Sequence, residues 1–467
     1  MDTIDIDISK ILAAIPQLES LSGVCQEKEG WFLGSTFRVS WDGKWTASPR
    51  EISGASTLGA IPSGCIVLQT SQGELKLRKP LVTRNMPDGS TEGVAASSSL
   101  RRNGTEQATP TIFRTYVKTT NALDKVSFPA LIRDKKMCAR ARIPLQIDGR
   151  SVELIWLNEG PFLILESAAP GMDEQEFSRL SIGLRQFFSY LLGERLDGDR
   201  CDVQLDASGA VIQVDWYEGK NSKRNIYHPI PVSWSEWGAA TAALNLSIAD
   251  GPLLPDMLSR MASAFLRNAD LVTPVEYLLQ FPDAPLEMRG ALLSVALESL
   301  TAVLVEQNVL MHSKLPPDKE WDTFLGALTA LVNQYTTWTQ QRRAAILDRV
   351  RKSNLPSNNE KLTAPFKALG IKLTKEDRKA IYRRNQLLHE GRILTSDEVR
   401  NDPEAWREAY EVEMRIYTAV NRLLLTYLGY KGVIVDWGRT SADSVSLVYG
   451  SLPAEPSDDD QQIGTAR

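Results

Sequence analysis

An α+β architecture, with a β-rich first half followed by an all-α second half and a short C-terminal hairpin, is what the sequence predicts. Three observations lead there. Short apolar runs separated by Asp-Gly and other glycine-containing turns fill the chain to about residue 250. Apolar residues then recur at three- and four-residue spacing to about residue 430. Finally, 43% apolar and 24% charged residues over 467 positions suffice for two or three domains with cores of their own.

The first domain, residues 1–250, is read as a series of hairpins. Asp42-Gly43 separates VSW from KWT, and residues 65–70 and 74–78 flank Ser71-Gln72-Gly73. Asp148-Gly149 joins 145–147 to 151–157; Gly160-Pro161 leads into 162–166; residues 206–209 separate 203–205 from 211–217. A helix is expected over 174–192. Residues 86–110 have few large apolar side chains and many Gly, Ser, Thr and Asn, which predicts a mobile loop carrying the basic pair Arg101-Arg102.

A helical connector over 251–282 leads into a helical domain, 283–430. Asp283 and Pro285 mark a start, followed by Leu293, Leu297, Leu300 and Leu304 at helical spacing. After Pro316-Pro317, Asp318 opens a helix with a stripe running from Trp321 and Phe324 through Leu331 to Trp338. Thr374 and Asp377 form a capping-box pair at the head of the next helix of interest, which stops at Gly391. Asp402-Pro403 opens the last long helix, whose stripe runs from Trp406 to Tyr427 and ends at Gly429. Residues 431–452 read as a β-hairpin, and 453–467, with Asp458-Asp459-Asp460, as a disordered tail.

Composition excludes several function classes. A net charge of −5 argues against a protein coated in nucleic acid, so any such site must be local. Cys25, Cys65, Cys138 and Cys201 form no CxxC pair, which predicts neither a zinc site nor a disulfide framework. The longest nearly apolar run, 291–305, is shorter than a membrane span and contains Glu298, and the N-terminus lacks a basic leader. The expectation is a soluble cytoplasmic protein with no membrane partner, no metal and no cofactor.

The chemistry concentrates in Arg384-Asn385-Gln386-Leu387-Leu388-His389-Glu390-Gly391, which holds one of only three histidines. On a helix Asn385 and His389 share a face and Arg384 lies on a neighbouring flank. A guanidinium forks onto phosphate oxygens, and an imidazole moves protons near neutral pH. Unpaired carbonyls in a last helical turn favour the charged imidazolium. The same residues also suit a purely structural helix end, where cations and a glycine stop are stabilising. Around the motif Lys372, Lys375, Arg378, Lys379, Arg383 and Arg392 outnumber the acids, and Arg342–Lys352 is basic as well. Arg378, Lys379, Arg383 and Arg392 are therefore the expected RNA-binding cations. His228, beside Trp216, Tyr217, Tyr227, Lys223 and Arg224, and His312 have no partners at metal-ligand spacing. The aromatics near His228 suit either base stacking or a core.

Residues 384–389 match the R-N-x-x-x-H form of the motif of HEPN ribonucleases, and residues 286–429 resemble the ApeA-like HEPN domain of antiphage defence. The resemblance implies a helical bundle that pairs as a homodimer, sets two motifs in one groove and cuts RNA without metal. Arg384, Asn385 and His389 are then the catalytic residues. Glu298 sits inside an apolar helix, where a carboxylate needs a cationic partner. The resemblance makes Arg384 that partner and Glu298 the residue that supports it. It also implies 2′,3′-cyclic phosphate and 5′-OH products and an abortive, toxin-like role. The first domain is expected to sense or restrain, with a phage-derived trigger as a possible partner. The rival reading is a non-catalytic HEPN-like module that dimerises or binds a nucleotide or a protein.

Overall fold

A computed structural model of the chain describes residues 21–25, 36–39, 44–48, 65–70, 73–85, 91–105, 107–119, 131–133, 139–157, 162–167, 171–198, 200–217, 227–231, 255–307, 318–353, 357–390, 402–439 and 447–449. The fold is α+β. Two units emerge: the first comprises Met1–Arg224, Val232–Trp234 and Ala249–Leu266, the second Asn225–Pro231, Ser235–Ile248 and Arg267–Arg467.

The first unit is built on one antiparallel sheet, thirteen-stranded among the described residues, in the order β3-β2-β1-β4-β5-β6-β13-β12-β7-β11-β10-β9-β8. The strands are β1 (Leu21–Cys25), β2 (Thr36–Val39), β3 (Lys44–Ser48), β4 (Cys65–Thr70), β5 (Gly73–Asn85), β6 (Thr91–Arg102) and β7 (Ile112–Lys118). They continue with β8 (Leu131–Arg133), β9 (Ala139–Ile147), β10 (Arg150–Leu157), β11 (Phe162–Ser167), β12 (Arg200–Leu205) and β13 (Val211–Tyr217). The hairpins expected at 42–43, 71–73, 148–149 and 206–209 join strands that do pair. At the third, Asp148 and Gly149 take φ of 49° and 82°, the left-handed pair that a two-residue turn needs to match strand twist. At the fourth, Asp206 accepts hydrogen bonds from the Ser208 and Ala210 amides.

Strand β6 overturns the mobile loop expected over 86–110 for residues 91–102, while residues 86–90 lie outside the described residues. Residues 91–102 pair with β5 along one edge. Along the other edge residues 91–94 pair with β3, and 97–101 with β13. The β3–β6 pairing closes six strands into a ring, from which β13 carries the sheet onward. Small side chains make β6 read as a loop, but its order comes from backbone bonds on both edges, which composition does not report. Ala95 and Leu100 are buried along it.

Helix α1 (Glu174–Leu192) starts at Asp173, whose carboxylate accepts from the Glu176 amide, and ends at left-handed Gly193. It buries Phe177, Leu184, Phe187, Phe188 and Leu191. Helix α2 (Pro255–Arg267) belongs to this unit, so the expected connector over 251–282 is divided between the two units. Its Phe265 packs 5.7 Å from Phe187, and the Ser259 hydroxyl accepts from the Gln146 amide. Gly183 lets Leu266 approach; a Cβ there would lie 2.0 Å from its side chain.

In the second unit α3 (Val272–Gln280) leads into α4 (Leu286–Glu306), which packs against α3, α7 (Asn358–Ala368), α8 (Lys375–Glu390) and α9 (Pro403–Tyr427). Leu293, Leu297, Leu300 and Leu304 are fully buried. Arg289 fixes the turn before α4 by donating to the Pro282 and Ala284 carbonyls. The helix outlasts the apolar run: Met288–Glu306 is long and apolar enough to cross a membrane, and half of it is buried inside the protein, as in a core helix.

Helix α5 (Asp318–Gln334) packs on α6 (Gln340–Ser353), but its apolar stripe is not core. Only Val332 is buried in it, while Phe324 and Leu331 are 49% and 50% exposed. Helix α9 matches its expectation better. Asp402 accepts from the Glu404 and Ala405 amides, Ile416, Tyr417, Val420, Leu423 and Leu424 are buried, and Gly429 turns left-handed past the end. Trp406 at the head of the stripe is exposed and stacked on Tyr410. Strands β14 (Val433–Val435) and β15 (Leu447–Tyr449) pair antiparallel. The 453–467 tail lies outside the described residues.

Candidate active site on helix α8

Helix α8 begins in a reciprocal cap. The Thr374 amide donates to the Asp377 carboxylate at 3.0 Å, and the Asp377 amide donates to Thr374 Oγ1 at 3.1 Å. Asp377 also faces two arginines of α9, Arg415 Nη1 at 3.6 Å and Arg422 Nη1 at 3.8 Å. Arg422 Nη2 donates to the Lys372 carbonyl, just before the cap. Burial lowers the pKa of Arg422, and the charge of Asp377 acts against that. One carboxylate therefore starts the helix and docks it.

Ala380 and Ile381 are buried, whereas Arg378 and Tyr382 are exposed. With 3.6 residues per turn, position 384 falls on the stripe of Asp377, Ala380 and Ile381. Positions 385 and 389 fall on the flank of Arg378 and Tyr382. All three motif residues belong to one uninterrupted helix that ends at Glu390. The side chains of Arg384, Asn385 and His389 lie outside those described, as do Gly391, Arg392 and His312.

The flanking cations divide. Arg383 Nη1 lies 2.7 Å from Glu408 Oε1 of α9, with Lys379 Nζ at 3.9 Å from the same oxygen. Arg378 is exposed. Glu298 departs from its expectation. It is exposed on α4, so the argument that burial obliges it to have a cationic partner does not apply. A helix that is apolar on most sides hides which residue sits at its rim. Among the described residues of this unit, the buried carboxylate is instead Glu413, 3% exposed, between Tyr410 and Tyr417 along α9.

His228, Tyr227 and Trp216 are core, while Tyr217 is half-buried. Tyr227 packs against Phe281, Tyr417 and Trp437, its hydroxyl 3.2 Å from that of Tyr410, and burial raises its pKa. Trp437 Nε1 donates to the His228 carbonyl at 2.8 Å. Trp216 is buried in β13. The His228, Tyr227 and Trp216 rings are therefore unavailable to stack on bases. Among the described residues no three His, Cys, Asp or Glu side chains gather as a metal site. Cys201 is free and buried, and burial pushes its thiol well up.

No family model, curated protein or solved structure matches this chain.

Proposed function

We propose that this protein is a metal-independent endoribonuclease of the HEPN type, an α-helical effector joined to a β-rich unit that senses or restrains it. One observation carries the reading. Arg384, Asn385 and His389 share a single helix whose first turn is fixed by Thr374 and Asp377 and whose inner stripe packs on α4 and α9. Such a helix can hold an arginine and a histidine in constant relation, which phosphoryl chemistry requires.

In the proposed reaction the RNA 2′-hydroxyl gives its proton to the imidazole of His389 and attacks the adjacent phosphorus. The P–O2′ bond forms as P–O5′ breaks, and the leaving 5′ oxygen takes a proton from the imidazolium of a second copy. Arg384 offsets the charge of the phosphorane and Asn385 orients a phosphate oxygen. The products are a 2′,3′-cyclic phosphate and a 5′-OH. A homodimer joined through the motif helices sets both motifs in one cleft, and cytoplasmic antiphage defence by an abortive response is the setting that the resemblance implies.

The test is incubation of the full chain with RNA in EDTA. Arg384→Ala and His389→Ala are each expected to slow cleavage at least about 10²-fold, with cyclic phosphate ends in the wild type. Undiminished cleavage in both variants removes the assignment. A second reading, a non-catalytic helix that dimerises or binds a partner, is favoured by Arg383 and Lys379 lying against Glu408, since that pairing serves docking of the helix.

A further inference from the structure

The first unit contains a polar cleft that the nuclease reading leaves unused. It lies between α1 and strands β7, β12 and β13 and spans about 460 Å³, counting space open to solvent. Cross-strand register sets Thr115, Asp202 and Asp215 side by side, and the same register sets Arg200 opposite Tyr217, two residues along. Side chains two apart on a strand share a face, so all of these turn toward α1. From the helix, Ser181 and Arg185 line the same cleft one turn apart.

The polar groups of the sheet largely satisfy one another. Thr115 Oγ1 donates to Asp202 Oδ1 at 2.7 Å, Ser181 Oγ donates to Thr115 Oγ1 at 3.1 Å, and Arg200 Nε donates to Asp202 Oδ2 at 3.1 Å. The Arg200 guanidinium also lies 3.8 Å from the centre of the Tyr217 ring.

Arg185 is the exception. It is only 8% exposed, yet among the described residues its guanidinium makes a single hydrogen bond, from Nη1 to the Leu196 carbonyl at 3.2 Å. Its Nε is buried without an acceptor. Burial, together with the like charge of Arg200, lowers its pKa to about 10, against the opposing charges of Asp202 and Asp197. The nearest acids are already engaged, Asp202 with Thr115 and Arg200, and Asp197 with Arg195. A buried cation served by one carbonyl is costly unless an anion joins it.

We propose that this cleft binds a phosphate-class oxyanion, free or as the terminal phosphoryl group of a nucleotide, held between Arg185 from the helix and Arg200 from the sheet. The two guanidiniums approach from different elements, so acceptor oxygens are needed in more than one direction, as a tetrahedral anion supplies. Burial raises the pKa of Asp215, and its Oδ2 accepts from Gln213 Nε2 at 2.9 Å, so this carboxyl is engaged within the sheet.

The test is calorimetry on the full chain at constant ionic strength, with inorganic phosphate, AMP and adenosine as probes. Because it reads binding and not cleavage, its failure is distinct from failure of the nuclease assignment. Saturable binding of phosphate or AMP is expected, weakened at least about tenfold by Arg200→Gln and by Arg185→Gln. AMP binding more tightly than phosphate assigns the nucleotide; equal affinity assigns the free anion. Arg200 is the safer variant because its side chain is 20% exposed, so a misfolded Arg185→Gln still leaves the question decided. The proposal is overturned if neither anion binds saturably, if adenosine binds as tightly as AMP, or if Arg200→Gln binds like the wild type.

Discussion

Arg383 of α8 and Glu408 of α9 form an ion pair, Nη1 to Oε1 at 2.7 Å, beside the motif residues. Their side chains are 34% and 54% exposed, so the pair contributes no more than about 1 kcal/mol to folding. Its larger effect falls on a polyanion, because Glu408 cancels charge where RNA is expected to lie. Glu408→Gln should leave the urea midpoint nearly unchanged and tighten binding of a single-stranded RNA several-fold at low salt. Fluorescence anisotropy across a salt series checks this. An unchanged affinity and slope would remove Arg383 and Lys379 from the binding surface.

The Asp377 cap predicts a graded response. Thr374→Ala loses one side-chain acceptor and should cost about 1 kcal/mol. Asp377→Ala also removes the carboxylate nearest the helix cap from Arg415 and the largely buried Arg422, leaving them the charge of Asp436, and should cost about 2–4 kcal/mol. Asp377→Asn keeps an acceptor for the Thr374 amide and should fall between them. Equal losses for Thr374→Ala and Asp377→Ala in chemical denaturation would mean that the arginines do not depend on the cap.

Two apolar truncations should separate core from surface within the second unit. Leu297 is fully buried on α4, and Leu297→Ala should cost about 2–5 kcal/mol. Phe324 on α5 is 49% exposed, and Phe324→Ala should cost under about 1 kcal/mol by the same measurement. A loss at Phe324 as large as that at Leu297 would show that this face is covered in solution.

Asp215 sets a pH dependence whose sign is fixed by its surroundings. Burial raises its folded pKa above the ordinary carboxylate value, with Asp202 adding to the rise. Between the two values the folded state holds the proton more tightly than the unfolded state, so stability falls as pH rises through that window. Asp215→Asn should flatten the melting temperature above about pH 4 and stabilise the protein at neutral pH. A variant that tracks the wild type across this range would refute the effect.

The sequence announced its local punctuation clearly. Asp148-Gly149, Thr374 with Asp377 and Asp402 with Gly429 all act where their spacing places them, because turn and cap chemistry is settled within a few residues. Long-range partnerships stayed hidden. Nothing near Asp377 in sequence announces Arg415 and Arg422, and the Gly, Ala and Ser content of residues 93–99 conceals a strand ordered by neighbours on both edges. Glu298 shows the converse limit. On a helix with apolar residues on most sides, periodicity does not reveal which position reaches water.

Strand β6 splices two structures at its midpoint, with residues 91–94 hemming the six-strand ring and 97–101 stitched to the remaining sheet. Pulling out either half strips β5 of its partner over the same span. Ring and open sheet should therefore exchange their amide hydrogens as one cooperative block, with protection along β6 matching that of β5 and β13. A perturbation that enters at the ring then has a continuous mechanical path to β12 and β7, the strands that floor the Arg185 cleft.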